Sequence, residues 1–422
     1  MMPQQQTRRF IMVALSAAAL VSSAAYGYAK APETKTVGKQ ASVKDNKPSS
    51  SALKEIKTLE LDMGWSGLGW QAENKLFLTK ASWKKHDQLP KKFNDLFTLN
   101  ISNPTSTAPE KWAKAIAAGK EEISQATLSP DKKHLFYVER STYESQYGTA
   151  KIINLQTGKV LVVVSNYVIE GEGLWLNNDS IVFIGGGSIS EPGAKPTSRV
   201  IYRYDMSYGK EIFVLAKADR ISNLEKSGDK LYYQVSKKPV NNKMKADFEQ
   251  IWDSQMKSYD LNTKKENVIT VKGITRKMEQ MIPSPDGSRF LIVTNNSALV
   301  ATGKDSLNKY VIRNDYQLYL TEAKGGTPKK VAAGDQFLAA SWSPEGNTIA
   351  YHMSDFKNLE NNKIRLLDVK TGKTQLIGSI IDRAMQLSWS PSGTKLLITN
   401  AIPIQVPNGT GQAYYTSIVS FK

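Results

Sequence analysis

The sequence predicts an all-β protein built from repeated four-stranded antiparallel units. Three observations carry this. A Ser-Pro turn motif recurs along the chain, a second turn signal follows each copy, and apolar β-branched stretches flank both.

The clearest copies of the first motif are SWSPEGNTIAYH (Ser341 to His352) and SWSPSGTKLLIT (Ser388 to Thr399). MIPSPDGSRFLIV (Met281 to Val293) and ATLSPDKKHLFYV (Ala126 to Val138) follow the same pattern. Weaker copies start at Gly69, Leu174 and Asn223. Aligned at the turn, the copies anchor at Ala72, Pro130, Asn178, Lys226, Pro285, Pro344 and Pro391. Within Ser343-Pro344-Glu345-Gly346, proline presets φ, glycine accepts a positive φ, and serine can bond nearby backbone donors. Strands on both sides of such a corner form a tight hairpin.

The second signal begins at Asn100, Asn154, Asp205, Asp260, Thr321 and Asp368. Each first residue has a side-chain oxygen that can hold the turn backbone, and four of the six copies place glycine four or five residues later. Each unit then reads as strand, tight turn, strand, long connection, strand, tight turn, strand. Repetition of four-stranded units around an axis is the β-propeller arrangement. Seven anchors favour seven blades, with six the alternative. The last copy lacks one strand before the chain ends, and IKTLELD (Ile56 to Asp62) is left over at the other end. The expectation is that Ile56–Asp62 pairs with Ala413–Phe421 and closes the ring.

The Trp-Ser-Pro-x-Gly element resembles the TolB-type β-propeller repeat, also present in prolyl-oligopeptidase-like peptidases. The resemblance covers about Ile56 to Lys422 and implies the fold rather than an activity. TolB carries a further α/β domain before its propeller, and the peptidases carry a hydrolase domain. This sequence offers residues for neither, so neither the Tol partnership nor the peptidase activity is transferred.

Three segments are expected. Residues 1–29 read as a signal peptide: Arg8 and Arg9, an apolar stretch from Phe10, then small residues to Ala29. An uncleaved anchor is the alternative and would be the only contact with a membrane. Residues 30–52 are a flexible Lys/Ser/Thr/Pro spacer too poor in apolar side chains to offset its ordering entropy. Residues 53–422 form the propeller. The protein is thus expected to be exported, to the exterior or the cell envelope.

The chain has 422 residues, no cysteine, three histidines and a formal net charge of +17. Lack of cysteine excludes disulfides, thiol catalysis and cysteine metal sites. No metal site, cofactor or specific nucleic-acid partner is expected. The basic balance favours an anionic partner. GWSGLG has Leu68 where a nucleophile elbow needs glycine, and the Ser-x-x-Lys and Lys-Thr-Gly matches fall on the tight turns. No catalytic residue is therefore assigned.

Antiparallel units place all tight turns on one side and all long connections on the other. The long connections, among them Lys80–Asn94, Thr294–Asp315 and Asn400–Gln412, are expected to be loops, and binding is expected on their side. The candidate residues there are Trp83 and His86 in the lysine-rich 80–94 segment, and Trp252 on a short helical turn within Asp247–Gln255. Arg220, Asp335 and Arg383 precede innermost strands at the channel mouth. The reading is a non-catalytic binding or scaffold module for a protein or an anionic envelope polymer. The alternatives are a hydrolase or lyase acting on a glycan or peptide, and a membrane-tethered sensor ectodomain.

Overall fold

The computed structural model describes residues 55–422, except 62–63, 85–90, 103–108, 113–121, 141–146, 187–197, 210–211, 238–252, 297, 302–309, 314, 355–362, 378–382 and 407–408. The signal and spacer segments, His86 and Trp252 therefore lie outside the described residues. No α-helix occurs among the described residues; one three-residue 3-10 turn at Met206–Tyr208 is the exception to strand and loop.

Strand β1 (Glu55–Glu60) precedes the first unit. That unit holds β2 (Trp65–Ala72), β3 (Lys75–Lys84), β4 (Lys91–Asn100) and β5 (Glu110–Lys111). Next come β6 (Glu122–Leu128), β7 (His134–Arg140), β8 (Tyr147–Asn154) and β9 (Val160–Trp175). Strand β9 runs on without a break to pair with β10 (Ser180–Gly186), followed by β11 (Arg199–Asp205) and β12 (Ile212–Ala218). The result is one seven-stranded sheet in the order β12-β11-β10-β9-β8-β7-β6.

The next sheet holds β13 (Arg220–Ser227), β14 (Lys230–Lys237), β15 (Asp253–Asp260) and β16 (Glu266–Val268). Then come β17 (Lys277–Pro283) and β18 (Arg289–Asn295), and a separate ribbon of β19 (Ala298–Ala301) and β20 (Tyr310–Arg313). Strands β21 (Tyr316–Glu322) and β22 (Lys329–Gly334) complete that sheet. The following sheet is β23 (Gln336–Trp342), β24 (Thr348–Ser354), β25 (Ile364–Asp368) and β26 (Thr374–Ile377). The last is β27 (Arg383–Trp389), β28 (Lys395–Val406) and β29 (Gly409–Phe421), with β1 as its fourth strand. Leu59 stands opposite Ile418 and Thr58 opposite Val419.

The tight turns have the chemistry expected of them. Ser343 accepts from the Gly346 amide through its carbonyl, and its hydroxyl accepts from the Thr348 amide at 3.0 Å. Gly287, Gly346 and Gly393 sit at φ 69°, 70° and 71°, the left-handed region that glycine enters without a Cβ clash. At the second turns, Asn154 Oδ1 accepts from the amides of Gln156 and Thr157, and Asp260 Oδ1 from those of Asn262 and Thr263. Asp205 departs from this. Its carboxylate bonds Ser180 and Arg203 instead, and its turn closes as the 3-10 turn.

The core is divided into clusters, each between one four-stranded group and the next. Strand alternation explains this, because successive side chains point to opposite faces. Along β24, Ile349, Tyr351 and Met353 pack with Ile282, Leu291 and Val293 of the preceding sheet, while Ala350 packs with Leu387, Trp389 and Ile398 of the following one. Where β9 passes from one group to the next, the two halves of the long sheet face each other across Phe136, Ile152, Phe183 and Tyr202. Gly173 allows this approach; a Cβ there would lie 2.5 Å from the Phe136 ring. Trp65, Trp70 and Leu78 near the start of the chain pack with Leu397 and Ile418 near its end.

A repeated hydrogen bond ties neighbouring groups. Trp175, Trp342 and Trp389 end first strands in their units or sit beside that end, and each donates its indole N–H to a backbone carbonyl of the preceding group. The acceptors are Thr127 at 3.2 Å, Ile282 at 3.1 Å and Ser341 at 3.1 Å. Trp70 donates in the same way to Ser388 at 2.9 Å.

Several connections expected as loops are instead strand. Residues Lys80–Lys84 and Lys91–Asn94 extend the β3–β4 hairpin, with Trp83 opposite Lys92. The Asn400–Gln412 connection continues as the β28–β29 hairpin out to Val406 opposite Gly409. Within Thr294–Asp315 lies the β19–β20 ribbon. Of the expected helical turn, Asp253, Ser254 and Gln255 belong to strand β15, and the rest lies outside the described residues. Alternation of apolar and polar residues, as in Ile402, Ile404 and Val406, favours extended pairing over a loop.

Candidate functional site

The ends of the first strands opposite the tight turns carry the expected mouth residues. Arg220 opens β13 opposite Ser236, and Arg383 opens β27 opposite Ala401. Asp335 stands just before β23, and its amide donates to the Ser354 carbonyl at 2.9 Å. Arg220 and Arg383 are equivalent in their units, and Gln336, the residue after Asp335, takes their place in β23. Arg220 and Asp335 are half-buried. Trp83 lies in strand on the β3–β4 extension; His86 and Trp252 lie outside the described residues.

Beside Asp335 and Arg383, the structure gathers a set of buried polar side chains that sequence reasoning missed. Gln336 is the first residue of β23 and pairs with Ser354, the last of β24. His352 lies two residues before Ser354, so both point to the same face of the sheet. That face is the one through which Ala339 and Ala350 meet the last sheet. From the other side, Leu396 and Ile398 of β28 face back, and Asn400 follows them in the same alternation. Asn400 pairs with Ala384, whose amide donates to His352 Nδ1 at 3.1 Å.

Gln336, His352, Ser354 and Asn400 thus converge at one end of the cleft between the β23–β26 and β27–β29 sheets. All four are buried, Asn400 completely and His352 to 1% exposure. Four of their atoms lack a hydrogen-bond partner among the described residues: Gln336 Oε1, His352 Nε2, Ser354 Oγ and Asn400 Oδ1. Asn400 uses its amide nitrogen to donate to Ser417 Oγ at 3.4 Å, leaving its carbonyl oxygen open. A buried polar atom without a partner costs about 1–3 kcal/mol, so four on one shared face leave hydrogen-bond capacity for a further partner.

The electrostatics define what that is. Burial pushes the His352 imidazole down to about 4, and the positive charge of Arg365 adds to this. The ring is neutral at pH 7. Its Nδ1 accepts from Ala384, so its proton sits on Nε2, which is left as an unpartnered donor. The set therefore offers one N–H donor, two carbonyl acceptors and one hydroxyl. His134 does not join it; it stands after a tight turn, 3.2 Å from the Asn154 amide. Among the described residues no three His, Asp or Glu side chains form a metal-holding group.

The signal in the sequence was faint. TIAYHMS and KLLITN are apolar strand stretches interrupted by His352, Ser354 and Asn400. Polar residues in such stretches are the trace of a buried polar site, but their common face depends on packing between sheets.

Face-to-face stacking of four-stranded antiparallel sheets defines the protein as a β-propeller. No family model and no curated protein matches its sequence. Among solved structures, an oligogalacturonate lyase from Vibrio parahaemolyticus aligns with 88% of this chain and 98% of its own, at 11% identity and a TM-score of 0.54. A prolyl endopeptidase structure aligns with 84% of this chain and half of its own, at 13% identity and a TM-score of 0.52. TolB from Acinetobacter baumannii aligns with 82% of this chain and 80% of its own, at 14% identity and a TM-score of 0.43. At these identities the likeness is one of fold.

Proposed function

We propose that the chain is a closed seven-bladed β-propeller acting as an exported binding module. The blade count rests on dividing the long sheet at β9, which gives seven four-stranded groups. Closure is supported by the antiparallel pairing of β1 with β29, by the Trp70–Ser388 bond, and by the shared core of Trp65, Leu78, Leu397 and Ile418. Removing residues 55–60 tests it. A closed ring loses its cooperative unfolding transition or falls sharply in Tm; an unchanged melting curve argues for an open arrangement.

The observation that carries the binding reading is the set of buried, unpartnered polar atoms of Gln336, His352, Ser354 and Asn400. Its unmet hydrogen-bond capacity is recognition chemistry. His352 holds its proton on its unpartnered nitrogen and is a weak base, which suits binding better than proton abstraction. The net charge of +17 favours an anionic envelope polymer as partner over a neutral protein surface. Export is supported by the order of basic, apolar and small residues through Ala29. Retention of anionic wall or capsule polymers on immobilised protein, weakening as salt rises, is the expected result. A protein that retains no polymer at any salt concentration sinks the reading.

A second reading is a propeller lyase or hydrolase, drawing on the fold likeness to oligogalacturonate lyase. Screening glycans and peptides for turnover separates the two, with Arg383→Ala and His352→Ala as the variants in which activity must fall.

A further inference from the structure

We infer that the cluster of buried, unpartnered polar side chains between the β23–β26 and β27–β29 sheets is a subsite for a neutral hydroxyl group, that of a sugar or polyol unit of the bound ligand. The inference rests on the binding-module reading and specifies what this part of the site recognises.

The donor and acceptor inventory decides the ligand class. A hydroxyl accepts one hydrogen bond and donates another. His352 Nε2–H supplies the donor, and Gln336 Oε1 and Asn400 Oδ1 supply acceptors. Ser354 Oγ can turn to either role. An anion would meet two carbonyl oxygens and a neutral ring, with one donor fixed in place, and is poorly matched. A cation would meet the Nε2 proton and the neighbouring field of Arg365. An apolar group would leave all four atoms unpaired, each at a cost.

The framework around the site is fixed. Gln336 and Ser354 are a cross-strand pair, His352 is held by the Ala384 amide, and Asn400 is held by Ser417. Ala350, Ala384 and Ile398 belong to the apolar cluster between the same two sheets. Gln336 and Ser354 lie at the strand ends opposite the tight turn of their hairpin. In the absence of ligand the same contacts suit a water molecule, which a ligand hydroxyl would displace.

The test uses the full mature protein labelled with nitrogen-15 in histidine, of which the chain has three. The His352 ring is assigned by comparison with His352→Gln. At pH 7 the ring is expected as the neutral Nε2–H tautomer. Titration with methyl glucoside is expected to shift Nε2–H of His352 and leave His134 in place, while sodium sulfate at matched concentration shifts neither. Ser354→Ala and Asn400→Ser should each weaken the apparent affinity about 10-fold, the value of one buried hydrogen bond. Because Asn400→Ser could disturb packing, its melting curve is recorded, and Ser354→Ala alone suffices if it unfolds.

No His352 shift with the glucoside, or an affinity for it that Ser354→Ala leaves unchanged, overturns the inference. Polymer retention with no His352 shift overturns the hydroxyl subsite and leaves the binding module standing. A His352 shift without polymer retention does the reverse.

Discussion

Trp70 donates its indole N–H to the backbone carbonyl of Ser388 at 2.9 Å, across 318 residues of chain. The same bond joins Trp342 to Ile282 and Trp389 to Ser341, between units adjacent in sequence. The first unit is thus tied to the last by the same bond as these two pairs. Trp70→Phe keeps most of the ring and removes the donor. It should cost about 1 kcal/mol, as should Trp342→Phe, measured from urea midpoints at constant slope. A Trp70→Phe protein as stable as the parent would mean that this junction is not made in solution.

Glu73 gives the same junction a pH dependence. Partial burial acts to raise its carboxyl, but bonds from Lys395, Ser392 and Thr394 outweigh it and hold it at about 2, below the usual 4.5. A depressed carboxylate stabilises the fold fully above its unfolded value and loses that contribution as pH falls through its folded value. The melting temperature should therefore drop between about pH 4.5 and pH 2. Glu73→Gln should flatten that part of the profile and lower stability at pH 7.

The turns offer a reciprocal test. Lys264 occupies φ 58° where the equivalent Gly372 occupies φ 70°. Lys264→Gly relieves left-handed strain in a side chain at the surface and should gain about 0.5–1 kcal/mol, offset in part by unfolded-chain entropy. Gly372→Ala should lose on the order of 1 kcal/mol. Thermal denaturation of both variants reads the difference.

Gly173 marks the crossing between the halves of the long sheet. A Cβ there would also lie 2.8 Å from Ile181, besides the Phe136 ring. Gly173→Ala should destabilise by about 1–3 kcal/mol through overpacking, and Phe136→Leu in the same chain should restore part of the loss.

The strong turn copies at Pro285, Pro344 and Pro391 could be read directly, because a proline, a glycine and a side-chain acceptor act within a few residues of chain. The weaker copy at Asn178 follows the same logic with different atoms. Asn177 Oδ1 takes the amides of Asp179 and Ser180, a role serine fills elsewhere. The hairpin extensions beyond Lys80 and Asn400 were read as loops because their polar content resembles loop composition, while strand pairing depends on the partner strand.

The candidate site divides in the same way. Asp335 and Arg383 were visible as charges beside first strands. Gln336, His352, Ser354 and Asn400 come from three strands in two sheets, and no local pattern links them. The amino-acid sequence by itself determined the repeat, the turn chemistry and the strand alternation, since each follows from short-range sterics and hydrogen bonding. Only the tertiary structure decided which polar side chains share a buried face, because that depends on sheet-to-sheet packing across distances the chain does not encode locally.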